Sequence, residues 1–448
     1  MEVEKIKPHT SWINVVTILA AGLGSFNFGF ANNVIAGTLA QSTFIAKFLS
    51  SPDATARIDS IVGCFLGGAI VGAVIQSHIS SAWGPRYMSE ISPPHTGGLL
   101  VGVQGVCIVW AYIIGSCLAL GFSFITESYQ WRLNYIIATV LRILLLASLF
   151  FLPESPRWLV ERGRDSEAAA ILERLHRTRS DPKATLARGE MIQIKEQVDL
   201  ERSLPRGYLH ILRTPSLRKR FVCTALVWIM GQSTGINVIA TLTPVLFASL
   251  GFDTTLQLAL SIVWTVCLQI GCSINVYLLD RVGRKALLVY GGLGSVHYLQ
   301  ASSSKSGINA CVAIYFLFAV WFTATIEYTG YVYASEIWPT HLRSYGATIT
   351  YVSFFAAALA YSTPASTAFA DISWRYFMVF VAITVPGVVA VAVLLPETKG
   401  LTLEEISGKF NDTVEISFDK AIARGLLKEK RKPKKGDAAY SGKPMAQS

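Results

Sequence analysis

The chain has 448 residues, of which 52% are hydrophobic and 15% charged, against about 25% charged in an ordinary soluble protein. Two blocks, residues 153–220 and 397–448, hold 44 of the 68 charges, and the other 328 residues share 24. That leaves too little polar surface for a soluble core of this size, which excludes an ordinary cytosolic enzyme and points to a polytopic membrane protein.

Ten apolar runs come close to the ~20 residues that a helical crossing needs. In chain order they are Trp12–Ala31, Ile58–Ser80, Gly98–Phe124, Tyr135–Leu152, Phe221–Leu250, Leu256–Leu279, Ala286–Ala301, Ile308–Tyr331, Tyr345–Ala370 and Tyr376–Leu395. Ala286–Ala301, with 16 residues, is marginal. Glu2, Lys5 and Lys7 precede a run that leads on into further membrane, unlike a signal peptide. Lysine and arginine set the orientation. The two charged blocks, Arg281–Lys285 and Arg343 fall on one side, whereas the opposite loops carry little beyond Lys47, Arg57, Arg132, Lys305 and Arg375. The positive-inside preference makes the first side cytoplasmic and both termini internal.

The expected division is four spans in 1–152, a cytoplasmic linker in 153–220, six spans in 221–396 and a cytoplasmic tail in 397–448. Within the linker, Ser166–Arg177 and Ala184–Leu200 read as short amphipathic helices.

The net charge of +10 lies on mixed-charge segments without an aromatic-interleaved stripe, so nucleic acid is not an expected partner. The seven cysteines all fall in apolar runs without a CxxC, and the histidines form no ligand-spaced pair. No metal, cofactor or enzymatic centre is expected: no nucleophile–base pair or phosphate loop is present. Asn411-Asp-Thr413 has the form of a glycosylation acceptor, but it falls in the cytoplasmic tail and should stay unmodified.

Several short motifs carry more information. Pro153-Glu-Ser-Pro-Arg-Trp-Leu159 follows the fourth run and Pro396-Glu-Thr-Lys-Gly400 the last. Between them stand Asp280-Arg-Val-Gly-Arg-Lys285, Glu336-Ile-Trp-Pro-Thr-His-Leu-Arg343 with Gly346, and Gln232-Ser-Thr-Gly-Ile-Asn237. Five motifs in this order resemble the sugar porter family of the major facilitator superfamily, in a fungal-type version. The resemblance covers about residues 12–410. It implies an all-α membrane fold of two helix bundles that rock about a central site, a sugar or polyol as the small-molecule partner within the lipid bilayer, and the plasma membrane as the expected location.

The resemblance also implies site residues. Gln104, Gln232 and Asn237 match positions that hydrogen-bond sugar hydroxyls; an amide offers both donor and acceptor to an uncharged polyol, although a lone membrane amide can also be interhelical glue. Glu327 and Tyr331, four apart on one helix face, join them as substrate-binding candidates. An intramembrane carboxylate is costly, and Glu327 could bind substrate, carry a proton or pair with Arg142. At the cytoplasmic boundary, Asp280, Arg281, Gly283, Arg284 and Lys285 would pair with Glu336 and Arg343. Glu154 and Arg157 would face Glu397. Such pairs suit a two-state latch, the alternative being topogenic charge alone.

The chain also departs from the family pattern. Gln76-Ser-His-Ile-Ser-Ser-Ala-Trp-Gly84 resembles the loop after the second helix, and Pro85-Arg-Tyr-Met-Ser-Glu-Ile-Ser-Pro-Pro94 the loop after the fourth. The third and fourth transmembrane helices are therefore expected to be missing, giving about ten spans instead of twelve. Glu90, in the second of these loops, has Gly97 where its arginine partner should stand. Phe28-Gly-Phe-Ala31 has alanine where proton-coupled relatives carry an acid, which argues against coupling through the first helix. The expected function is movement of a hexose or related polyol by alternating access; the alternatives are a transport-inactive product and a nutrient sensor of the same fold.

Overall fold

The computed structural model describes residues 12–83, 97–149, 154–176, 185–202, 204–205, 207–295, 305–401 and 403–410. Every described element is helical, and the described parts of the ten apolar runs fall on helices. The first half contains α1 (Trp12–Leu39), α2 (Ser42–Phe48), α3 (Ala54–Trp83), α4 (Gly97–Ser123) and α5 (Gln130–Leu149). The charged connector carries α6 (Pro156–Glu161), α7 (Asp165–His176), α8 (Thr185–Arg202) and α9 (Tyr208–Arg213). The second half runs through α10 (Pro215–Ser233), α11 (Ile236–Ser249), α12 (Thr254–Val282), α13 (Arg284–Gly294), α14 (Lys305–Phe322), α15 (Tyr328–Glu336), α16 (Arg343–Ser362), α17 (Ala365–Ile372), α18 (Tyr376–Leu394) and α19 (Leu403–Lys409).

Seven helical stretches among the described residues are long and apolar enough to cross a membrane. The last, Arg343–Leu394, has 52 residues, over twice the requirement for one crossing. It bends at Pro364 and turns back through a 3₁₀ corner at Ser373–Arg375, where Ser373 takes a positive φ of 51°. By contrast, α13 has 11 residues, which at 1.5 Å per residue is about half a bilayer core. The end where α1 finishes is called the outer end, and the end that carries the charged connector the inner end, after the orientation expected from lysine and arginine.

Close backbone approach organises the first half. A side chain at Gly29 of α1 would collide with the Ile108 carbonyl of α4, and one at Gly115 of α4 would lie 2.7 Å from the Asn33 amide. In a membrane, where apolar surface gains nothing by leaving lipid, such small-residue contacts replace the hydrophobic drive. At the outer end the Gln130 amide clips α2 to α5: its oxygen accepts from the Thr43 amide and hydroxyl at 3.3 and 2.7 Å.

The connector helices α7 and α8 lie within two residues of the predicted bounds. With α6 they bury a small core of Leu159, Val160, Ala168 and Val198. Ser155 caps α6, with proline at its first turn, a favoured start for a helix.

The halves meet along three seams, α3 against α16 and α17, α4 against α12, and α1 against α11. Towards the outer end Ile35, Leu39, Ile58 and Val62 from the first half bury against Val238, Leu242, Phe354, Phe355 and Ala358 from the second. Elsewhere α3 has an unfilled side. Ser60, Cys64, Gly68 and Gly72, spaced four apart, are all exposed, and neither glycine has anything within 4 Å of a would-be Cβ.

Candidate functional site

A central cavity lies between the halves. Asn32 and Asn33 of α1 and Tyr112 of α4 line one wall. Gln232, Asn237, Thr265, Glu327, Tyr328 and Tyr331 line the other. Four of the five predicted substrate residues, Gln232, Asn237, Glu327 and Tyr331, therefore share one cavity; the side chain of the fifth, Gln104, lies outside the described residues. A second, smaller cavity sits inside the second half among Ile314, Tyr315, Phe318, Phe377 and Phe380, and contains none of them.

The two amides reach the cavity through a helix break. Between α10 and α11 the chain takes a left-handed turn at Gly235 (φ 81°), where any side chain would come within 2.6 Å of the Phe380 ring. Gln232 closes one side of this break and Asn237 opens the other. Asn237 donates to the Ser362 hydroxyl at 3.1 Å. Gln232 is 1% exposed, and both its amide oxygen and its amide nitrogen lack a hydrogen-bond partner in the protein. Buried polar groups are almost always paired; this amide is an exception, and it borders the cavity.

Glu327 and Tyr331 owe their direction to a π turn at Thr323–Glu327, between α14 and α15. Such a turn releases backbone carbonyls from the regular ladder and is frequent at functional sites. Here the buried Asn275 of α12 donates to the Ala324 carbonyl at 2.8 Å and to the Thr329 hydroxyl at 3.1 Å. Gly271, one turn away on α12, lets the turn pack closely; a Cβ there would overlap the Val320 carbonyl. The Tyr331 ring packs against Trp228 at a tilt of 56°, with ring centroids 4.4 Å apart. Arg142 is exposed on α5 and forms no ion pair with Glu327.

The sequence reading missed the first-half wall. The Asn32 amide donates to the Tyr112 hydroxyl at 3.0 Å, and Asn33 donates to the Tyr112 carbonyl and the Ser116 hydroxyl at 3.2 and 3.1 Å. Two successive asparagines just past the apolar run Trp12–Ala31, still within α1, were the available signal.

At the inner end Arg284 is the hub. Its guanidinium donates to Asp280 at 3.1 Å and to Glu336 at 2.9 Å, and the other Glu336 oxygen accepts from the Thr398 hydroxyl at 2.7 Å. Arg281 lies instead over the Tyr277 ring, 4.0 Å from its centroid. Glu397, expected to face Glu154 and Arg157, accepts from the backbone amides of Arg284 and Lys285, both at 3.0 Å. It thereby caps α13, whose first-turn amides would otherwise be orphaned. The cap fits because Gly283 is bare: a Cβ would sit 2.9 Å from the carboxylate. Partial burial pushes the Glu397 carboxyl up, but the amides of Lys399, Arg284, Lys285 and Thr398 outweigh it and hold the group below the usual glutamate range. Glu154 is exposed beyond the first half, Arg157 and Arg343 are half-buried, and Glu90 lies outside the described residues.

Comparison with known proteins gives a consistent answer. The sequence model of the family described as "Sugar (and other) transporter" matches residues 79–410. The MFS-type transporter criB of Aspergillus cristatus is 28% identical over 448 aligned positions, covering 88% of this chain and 92% of that protein. The high-affinity glucose transporter of Kluyveromyces lactis is 26% identical over 383 positions, covering 79% and 68%. Among solved structures, the proton:xylose symporter XylE bound to 6-bromo-6-deoxy-D-glucose superposes with a TM-score of 0.72 at 22% identity, over 90% of this chain and all of that one. An inward-open form of XylE from E. coli gives 0.63 at 21% identity. At this identity the structures speak for the fold, a major facilitator helix bundle. With three quarters of its length matched by the family model, the chain is a multi-pass membrane protein that belongs to the sugar (and other) transporter family.

Proposed function

We propose that this protein moves a hexose or related polyol across a membrane by alternating access, with the central cavity as its substrate site. The observation that carries the reading is the orphaned Gln232 amide in that cavity, which Asn237 and three tyrosines also line. An uncharged hydroxyl-rich ligand supplies both the donor and the acceptor that this amide lacks. Relatives named as glucose and xylose transporters support the same substrate class. In this reading Gln104 completes the first-half wall, Glu327 and Tyr331 orient the sugar, and the Arg284 hub steadies the inner end. Both termini are cytoplasmic, and the plasma membrane is the site of action.

The first helix has no acid at Ala31, so the substrate moves without proton coupling through that helix. Saturable uptake of radiolabelled hexose in a transporter-null host, without an accompanying inward proton current, is the expected result. No uptake by correctly inserted protein would leave the sensor or inactive-product readings.

Two helices are absent from this chain relative to its family. Thirteen residues separate α3 from α4, too few for even one crossing. The alignment with criB has 448 positions yet takes in 88% of this chain, which leaves about 54 positions opposite gaps, enough for two helices of ~20 residues and their loops. The bare flank of α3 is where such a pair would pack. Sequencing the transcript across Gly84 and Pro85 tests this directly: an in-frame segment of about 50 residues in the mature message would show that the full transporter has twelve spans.

A further inference from the structure

The outer seam holds a buried acid that the substrate site does not use. Asp59, one turn into α3, is 8% exposed. One carboxylate oxygen accepts from the Ser366 amide at 2.9 Å; the other accepts from the Thr367 amide at 3.1 Å and the Thr367 hydroxyl at 2.6 Å. These groups lie 307 and 308 residues away in the sequence and in the other half of the molecule. They are the first-turn amides of α17, freed because Pro364 interrupts the helix that begins as α16. A carboxylate there meets both orphaned donors and the positive end of the helix.

Three features mark this contact as one that can open. It joins the two halves, not two helices within one. The surrounding outer cluster of Ile35, Leu39, Val62 and Phe355 is apolar, so it imposes no directional bond of its own. The C-terminal side is incompletely satisfied: the hydroxyls of Thr363 and Ser366 are buried without a partner, and Thr363 lies against the bare Gly63 of α3 at 3.2 Å from a would-be Cβ. Parting the seam there would cost one carboxylate's hydrogen bonds and return those two hydroxyls to water.

We propose that Asp59 is an outer latch: it holds the outer end shut by capping α17 across the seam and must release for the cavity to open on that side. The proposal rests on the transport reading, and its test is arranged to separate the two. In purified full-length protein, a cysteine introduced at buried Ile35 reports outer opening through its rate of reaction with N-ethylmaleimide, read by mass spectrometry. Asp59→Ala is expected to raise that rate at least tenfold. Thr367→Val, which removes one of three donors, should raise it by a smaller factor and serves alone if the aspartate variant does not fold. Native Cys223 and Cys272, buried in the second half, should stay unreactive.

Rates at residue 35 within twofold of the parent would overturn the latch. So would a parallel rise at Cys272, which would make Asp59 a structural cap. Hexose uptake by the unmodified chain is scored separately. Faster labelling without uptake removes transport and keeps the latch, whereas uptake with flat labelling does the reverse.

Discussion

Gln232→Met separates a substrate group from a structural one by the sign of its effect. Methionine keeps nearly the volume of glutamine and fits irregular space, so the change removes polarity and little else. In the ligand-free protein the amide is 1% exposed with two unpaired atoms, and each such atom costs about 1–3 kcal/mol. Part of that is recovered where the cavity admits water, so the variant should be more stable by about 1–2 kcal/mol. With sugar bound, the same amide would make two hydrogen bonds, together about 2 kcal/mol, and their loss should raise KM about 30-fold. The two assays are thermal unfolding of purified protein without sugar and concentration-dependent uptake in a transporter-null host. Greater stability with weaker sugar binding is a familiar trade at binding sites. A variant that is less stable and keeps its KM would refute the reasoning, because the amide would then be holding helices together.

Other outcomes follow from the packing and the inner charges. Gly271→Ala places a methyl on the Val320 carbonyl; with backbone as the obstacle, the π turn or α12 must shift, at a cost of ~3 kcal/mol or more, seen as low yield of folded protein in fluorescence-detected gel filtration. Glu397→Gln tests the cap on α13. The folded carboxyl lies below its unfolded value, so the ionised group contributes stability above the ordinary glutamate pKa of ~4.3, and that contribution is lost as pH falls through the lower folded value. The glutamine variant should therefore be less stable than the parent at pH 7, with the gap closing in acid. A gap unchanged from pH 7 to pH 3 would show that the charge is irrelevant.

Legibility from sequence was uneven for physical reasons. Charge segregation marked out the apolar runs, because a bilayer excludes charge wherever the chain crosses it. It could not show which face of a span is buried, since these helices are apolar all round and lack the period that marks a core face. The pairing of Asn32 with Tyr112 was therefore invisible, although Tyr112 stands in an apolar run and Asn32 directly after another. Gln232 and Asn237 were found through a motif and share one cavity, but the backbone partners of Glu397 were not foreseen. Its carboxylate seeks backbone amides of α13, and a backbone donor leaves no trace in residue identity. The breaks at Gly235 and Pro364 carry their usual residues, whereas the π turn in Thr323-Ala-Thr-Ile-Glu327 carries no residue signature at all. It depends on Asn275 and Gly271, about fifty residues earlier.

That π turn also sets timing along its helix. A regular helix advances ~100° per residue, and the wider turn absorbs one residue, offsetting everything after it by about that angle from everything before. Tyr315 and Phe318, upstream, point into the second half's core; Tyr331 points into the cavity and Glu336, at the far end, meets Arg284. The helix works as a shaft with a fixed offset between two cams. Restoring a regular ladder by removing one residue would turn both away together, so the cavity wall and the inner charge hub can change register only in concert.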